Sequence, residues 1–180
     1  MEINTNRLIL KDMTKADQGD LERIFNHPDF YYAYALQDGV AINVAATNYS
    51  QLAERTKLAI PRDSWIMSII EKQSGKFIGA VVLVDLNQTQ EYGLQAEIGY
   101  FIDVPYQGKG YASEAALAMK IFGKENLNIQ SLYSTVDPNN SASWKILEKL
   151  GLKRQGFEKL SAYKNRDGSV AARCHYRGQI

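Results

Sequence analysis

This chain of 180 residues contains a single cysteine, Cys174, and two histidines, His27 and His175. One thiol cannot close an internal disulfide. One Cys without a His-x-x-x-His pair leaves no ligand set for a structural zinc, so no metal is expected. Cys174 and His175 are chain neighbours. On a strand they face opposite sides, which excludes a Cys–His nucleophilic pair. An excess of one charge is also missing: 21 Lys and Arg stand against 20 Asp and Glu, a net charge of +1. There is no general basic field for nucleic acid and no acidic tail. The longest apolar run, residues 77–84, is far too short to span a bilayer, so no membrane partner is expected. Residues 1–7 lack the charged-then-apolar pattern of an export signal, which makes a cytoplasmic protein the expectation.

What is present is ordinary globular material, 45% hydrophobic and 23% charged, enough to bury a substantial core. No repeat, linker or low-complexity run interrupts it, and its length fits one domain, residues 1–180. Residues 7–11 alternate as a short strand, and Thr14 can cap a helix running to about Asn26. His27-Pro28 breaks that helix; His27 reads as a surface turn residue. The cluster Phe30-Tyr-Tyr-Ala-Tyr34 follows in an expected loop. Such rings either pack on the domain or grip a ligand with apolar bodies and polar tips. Residues 44–60 have helical periodicity and stop at Pro61. Three antiparallel strands then follow, at 65–70, 77–84 and 95–103, the first two joined at Ser74-Gly75. A central helix from Ala112 to Phe122, a strand at 130–137 and a helix at 141–150 capped by Gly151 come next. Strands at 152–160 and 170–178 flank the turn Asn165-Arg-Asp-Gly168. This order predicts an α/β (α+β) fold, a mixed sheet with helices on both faces.

The stretch 104–114, Val-Pro-Tyr-Gln-Gly-Lys-Gly-Tyr-Ala-Ser-Glu, organises the rest. Pro105 ends a strand, Gly108 and Gly110 permit a tight turn, and a helix begins. The unpaired N–H groups at such a helix start can hold an anion, most often a phosphate. A bare Gly-x-Gly is also an ordinary strand-to-helix turn. The dinucleotide fingerprint would need Gly or Ala at Ser113, and the Gly-x4-Gly-Lys-Ser/Thr phosphate loop is absent. A mononucleotide-binding protein would instead hold ATP at such a turn.

The wording is more informative than the glycines. Gln107-Gly-Lys-Gly-Tyr-Ala112 reads as Gln-x-x-Gly-x-Ala. It resembles the acyl-CoA pyrophosphate loop of the GCN5-related N-acetyltransferases (GNAT). Asn140-Ser-Ala-Ser143, in its later helix, is similar to that family's Asn-x-x-Ser segment. The resemblance covers nearly the whole chain, is sharpest over 97–157, and points to the branch of ribosomal-protein N-terminal acetyltransferase-like enzymes. It implies a single N-acetyltransferase domain with the GNAT fold, a mostly antiparallel sheet of about six or seven strands. It implies acetyl-CoA as co-substrate and direct transfer to a primary amine, either a protein N-terminus or a small amine. A CoA-binding sensor without transfer activity is the alternative. A monomer or homodimer is expected.

Site residues follow from the resemblance. Gln107, Gly108, Lys109, Gly110, Tyr111 and Ala112 would hold the pyrophosphate through backbone N–H groups. Ile102 and Asn140 would hold the pantetheine arm. Outside the motifs, Lys145 and Lys149 could meet the cofactor phosphates, although solvated lysines on a helix face are the usual case. Ser143 would assist thiolate departure, with Tyr133 and Tyr163 as rivals. Tyr31 and Tyr34 would line the acceptor pocket. Glu97, a lone carboxylate in an apolar strand, matches the family's general-base position, although a solvated or ion-paired carboxylate would look the same. A base is needed because amines with pKa values of about 8–10.4 are mostly protonated at neutral pH, and only the neutral amine attacks a thioester. Backbone N–H groups of 97–102 would stabilise the oxyanion.

Overall fold

The computed structural model describes residues 1–27, 30, 42–164 and 170–180. Strands β1 (Glu2–Asn4), β2 (Leu8–Asp12), β3 (Trp65–Glu71), β4 (Phe77–Thr89), β5 (Gly93–Ile102), β6 (Ser131–Val136), β7 (Lys153–Lys164) and β8 (Val170–Gln179) form one sheet. Its order is β1-β2-β3-β4-β5-β6-β8-β7. This is one strand more than the upper expectation. The extra strand is the three-residue β1, too short to show alternation, which pairs Ile3 with Leu10. Every pairing is antiparallel except β5 with β6.

Helices α1 (Gln18–Phe25) and α2 (Ile42–Leu58) cover one face, and α3 (Tyr111–Leu127) and α4 (Ser141–Lys149) the other. Strand alternation divides the core accordingly. Leu10, Met67, Leu83, Ala96 and Ile98 pack with Ala115, Met119 and Leu147 below α3 and α4. Ile66, Ala80 and Phe101 pack with Leu21, Ile24, Phe25 and Phe30 below α1. Phe30 stacks on Phe25 with ring centroids 5.2 Å apart, so this first ring of the aromatic cluster is core. Tyr31, Tyr34 and the side chain of Tyr163 lie outside what the structure describes.

Local chemistry sets the element ends. Thr14 opens a 3-10 turn, Lys15–Asp17, rather than α1 itself, because Asp17 folds back to accept from the Thr14 N–H at 2.8 Å. Gly75 takes φ +67° in the β3–β4 hairpin, and Gly151 takes φ +89° just beyond α4, as its cap role requires. Strand β4 runs five residues past the expected end at Val84 because a bulge after Val84 restores its pairing with β5. No described helix is long and apolar enough to cross a membrane.

Candidate functional site

Strand β5 is the wall on which the site is built. It pairs with β6 at Gln95–Ser131, Ala96–Leu132 and Glu97–Tyr133, and the ladder stops there. Beyond Glu97 the two parallel strands part. Residues 98–102 keep their β4 partners but have no β6 register. A cavity of about 550 Å³ occupies the α3/α4 side of this parting, with Tyr100, Ile102, Gly108, Gly110, Asn140 and Ser143 among its lining.

One end of the cavity is the glycine loop. A 3-10 turn, Val104–Tyr106, leads from β5 into it. Gly108 and Gly110 take φ +74° and +81°, so both occupy the left-handed region that a Cβ disfavours. Helix α3 begins at Tyr111, and its first N–H groups have no carbonyl four residues earlier in the helix. Gln107 serves the loop differently from expectation. Its N–H donates to the Val104 carbonyl at 3.2 Å, and its side-chain amide donates to the Ile102 carbonyl at 2.9 Å. It therefore braces the loop against β5. Tyr111 is buried and its hydroxyl donates to Glu71, so it offers the cavity backbone rather than a phenol. Lys109 turns its ammonium over the Tyr106 ring at 5.1 Å; Lys149, not Lys109 or Lys145, lines the cavity.

The loop is also held from the chain's first turn, which the sequence reading missed. Arg7 donates to the Lys109 carbonyl at 2.9 Å and pairs with Glu114 at 2.7 Å. Thr5 donates to the other Glu114 oxygen at 2.6 Å. Burial raises the Glu114 pKa, but the Thr5 and Arg7 hydrogen bonds and the Arg7 charge outweigh it and hold the carboxyl below its usual value. A carboxylate in the first turn also suits the positive end of α3.

On the other wall, Asn140 caps α4 by accepting from the Ser143 N–H at 3.1 Å, while also lining the cavity. The Ser143 hydroxyl stands 3.3 Å from the Tyr100 hydroxyl, which donates to the Ser143 carbonyl at 2.9 Å. In the sequence Tyr100 alternates with Ile98 and Ile102 along the strand of Glu97, so its hydroxyl carries no signal of its own. Tyr133 is on the opposite sheet face, where its hydroxyl donates to Asp85. Its neighbours on β6, Leu132 and Val136, face the α3/α4 core instead. That removes Tyr133 as a rival to Ser143.

Glu97 occupies the opposite face from the cavity, at the last paired position before the strands part. It is half-buried. Burial first, and then the Asp85 charge, push its carboxyl above the ordinary glutamate value. Cavity and carboxylate thus meet the gap from its two sides. Cys174 is buried in the α3/α4 core, and His175 stands 3.3 Å from Glu158. A larger open depression, about 950 Å³, lies at the far end by the 90–92 turn and Lys124, away from the glycine loop and Glu97. No group of three or more His, Cys, Asp or Glu among the described residues could hold a metal ion.

Comparison with known proteins identifies the family and the fold. A family profile described as "Acetyltransferase (GNAT) domain" matches residues 7–153. The chain is 30% identical over 149 residues to the Bacillus subtilis (strain 168) protein named "Uncharacterized protein YkkB", covering 82% of this chain and 83% of that one. The ribosomal-protein-S5-alanine acetyltransferase of Vibrio fischeri has the same fold, with a TM-score of 0.80 at 17% identity over 99% of this chain and 96% of that one. The spermidine N-acetyltransferase of Vibrio cholerae, solved in complex with CoA and spermine, gives a TM-score of 0.77 at 16% identity, covering 97% and 96%.

Proposed function

The chain belongs to the GNAT acetyltransferase family, and from that premise we propose that it moves an acetyl group from acetyl-CoA directly to a primary amine. One observation carries the reading: β5 and β6 part immediately after Glu97 and Tyr133, with the cavity on one side of the gap and the carboxylate on the other. The pyrophosphate rests on N–H groups of the Gly108 to Ala112 turn. The pantetheine arm runs past Ile102 and Asn140, and the thioester reaches the gap. The amine arrives from the other face and gives its proton to Glu97, whose raised pKa makes it a stronger base than an ordinary glutamate. The neutral nitrogen attacks the thioester carbon. Backbone N–H groups along 98–102 stabilise the oxyanion. Ser143, with its hydroxyl beside that of Tyr100, donates a hydrogen bond that stabilises the departing thiolate, which takes its proton from solvent.

The fold neighbours named above suggest two acceptor classes, an N-terminal amine and a polyamine. The test is an acceptor screen monitored by release of CoA thiol, with N-terminal peptides and small amines side by side. Thiol release that depends on a primary amine is the expected result. Tight acetyl-CoA binding with no amine-dependent release would overturn transfer and leave a CoA sensor.

A further inference from the structure

Asp85 has an unusual backbone. Apart from the helix-terminal Asn128, it is the only described non-glycine residue with positive φ, at +53°. A side chain held in the left-handed region costs stability and is kept where the surroundings demand it. The cause is a β-bulge. Val84 pairs with Glu97 and Asn87 with Gln95, so β4 spends three steps while β5 spends two. The extra step brings the Asp85 carboxylate to the Tyr133 hydroxyl, on the sheet face of Glu97.

A chain of contacts holds this arrangement. The Asn87 amide donates to the Asp85 carbonyl at 2.7 Å, and Gln95 donates to Asn87 at 2.8 Å. Arg177 donates to Gln95, and its guanidinium lies 5.0 Å from the Tyr133 ring centre and 4.1 Å from that of Tyr92. The charged and titratable groups around Glu97 are therefore Asp85 from β4, Tyr133 from β6 and, behind Tyr133, Arg177 from β8.

A phenol has one hydrogen to donate. Tyr133 has committed it to Asp85. Its oxygen can then only accept elsewhere. At the mouth of the gap this matters. A phenol donating to the incoming amine would occupy the lone pair needed for attack. A phenol accepting from an N–H leaves that pair aimed at the thioester. We infer that Asp85 is a positioning residue, fixing the Tyr133 hydroxyl so that its oxygen accepts an N–H of the acceptor amine while Glu97 takes the proton. The inference rests on the transfer reading above. No bond to the enzyme forms: the ammonium proton passes to Glu97, and the remaining N–H groups are steered by Tyr133. The Asp85 charge also disfavours ionisation of Glu97, in keeping with the direction of its shift.

The test uses Asp85→Gly, Tyr133→Phe and the double variant, with Glu97→Gln as reference. Glycine adopts the left-handed region freely and removes the acceptor of the Tyr133 hydroxyl, so the bulge survives while the bond is lost. Carboxyl-labelled glutamate NMR, which needs no acceptor, reads the Glu97 midpoint, assigned by its loss in Glu97→Gln. In Asp85→Gly that midpoint should fall. With saturating n-butylamine as acceptor, Asp85→Gly and Tyr133→Phe should each lower kcat roughly five- to tenfold, the size of one lost hydrogen bond. The double variant should be no slower than Tyr133→Phe alone, since both act through one bond. An unmoved midpoint, or losses that simply multiply, would overturn the inference. Unchanged kcat in Asp85→Gly beside a large loss in Glu97→Gln overturns it alone; a fully active Glu97→Gln overturns the transfer mechanism beneath it.

Discussion

Glu97 has surroundings that suit the base role proposed for it. Only its ionised form can accept a proton. Because burial and Asp85 raise its pKa, the proposed base is protonated on acidification earlier than an exposed glutamate, whose reference value is 4.5. The acidic limb of kcat/KM should therefore lie above that value, as a pH–rate profile would reveal. Glu97→Gln should lower turnover near pH 7 by about 10²–10⁴-fold and leave coenzyme A affinity unchanged, measured by thiol release and calorimetry. Undiminished turnover would remove it as the base. Glu97 was legible because its place, one strand before the glycine loop, matches the family's general-base position; a carboxylate in an apolar strand alone would have read as solvated or ion-paired. Tyr100 was not, because a tyrosine in an alternating stripe reads as core until its hydroxyl is found beside Ser143. Asp85 was hidden for another reason: strand alternation assigns faces by counting residues, and a bulge adds one to the count.

At the scale of elements, the glycine loop is a strand end, two left-handed glycines and a helix start, clamped by Arg7 and Glu114. Its position and wording could be read directly, since proline and glycine mark backbone geometry. The clamp could not, because it joins residues more than a hundred positions apart. Gly110→Val forces a branched side chain into φ +81° at a strain of about 1–3 kcal/mol. It should weaken coenzyme A binding at least tenfold by titration calorimetry while the far-ultraviolet circular dichroism stays native. Normal affinity would place the diphosphate elsewhere. Glu114 carries a stability signature. Its folded pKa is depressed, so its contribution is complete above its unfolded value and is lost as pH falls through the lower folded one. The Tm gap between wild type and Glu114→Gln should thus be full at neutrality, begin to narrow near the unfolded value of about 4.3 and close only below the lower folded one. A gap independent of pH would mean that the clamp works by packing rather than charge.

For the whole molecule, the decisive feature is that one sheet is almost two. Strands β1 to β5 are joined to β6, β8 and β7 by three parallel pairs, at one end of β5 only. Helices α3 and α4 bridge the halves on one face through Ala115, Met119 and Leu147. A parallel junction this short leaves ladder groups along 98–102 that a pantetheine arm, with its two amides, can satisfy in place of a strand. On the proposed function, cofactor binding would add backbone pairing where the fold lacks it, and a ligand that binds only the folded state stabilises by mass action. At coenzyme A one hundredfold above its Kd this amounts to about 2.7 kcal/mol. For a chain of this length, a shift of about 2–4 °C per kcal/mol predicts that Tm rises by roughly 5–11 °C. Amide exchange should slow along 98–102 and 134–136 on both sides of the gap. Protection confined to the glycine loop, with β5 and β6 exchanging as before, would mean that the arm does not enter between the strands.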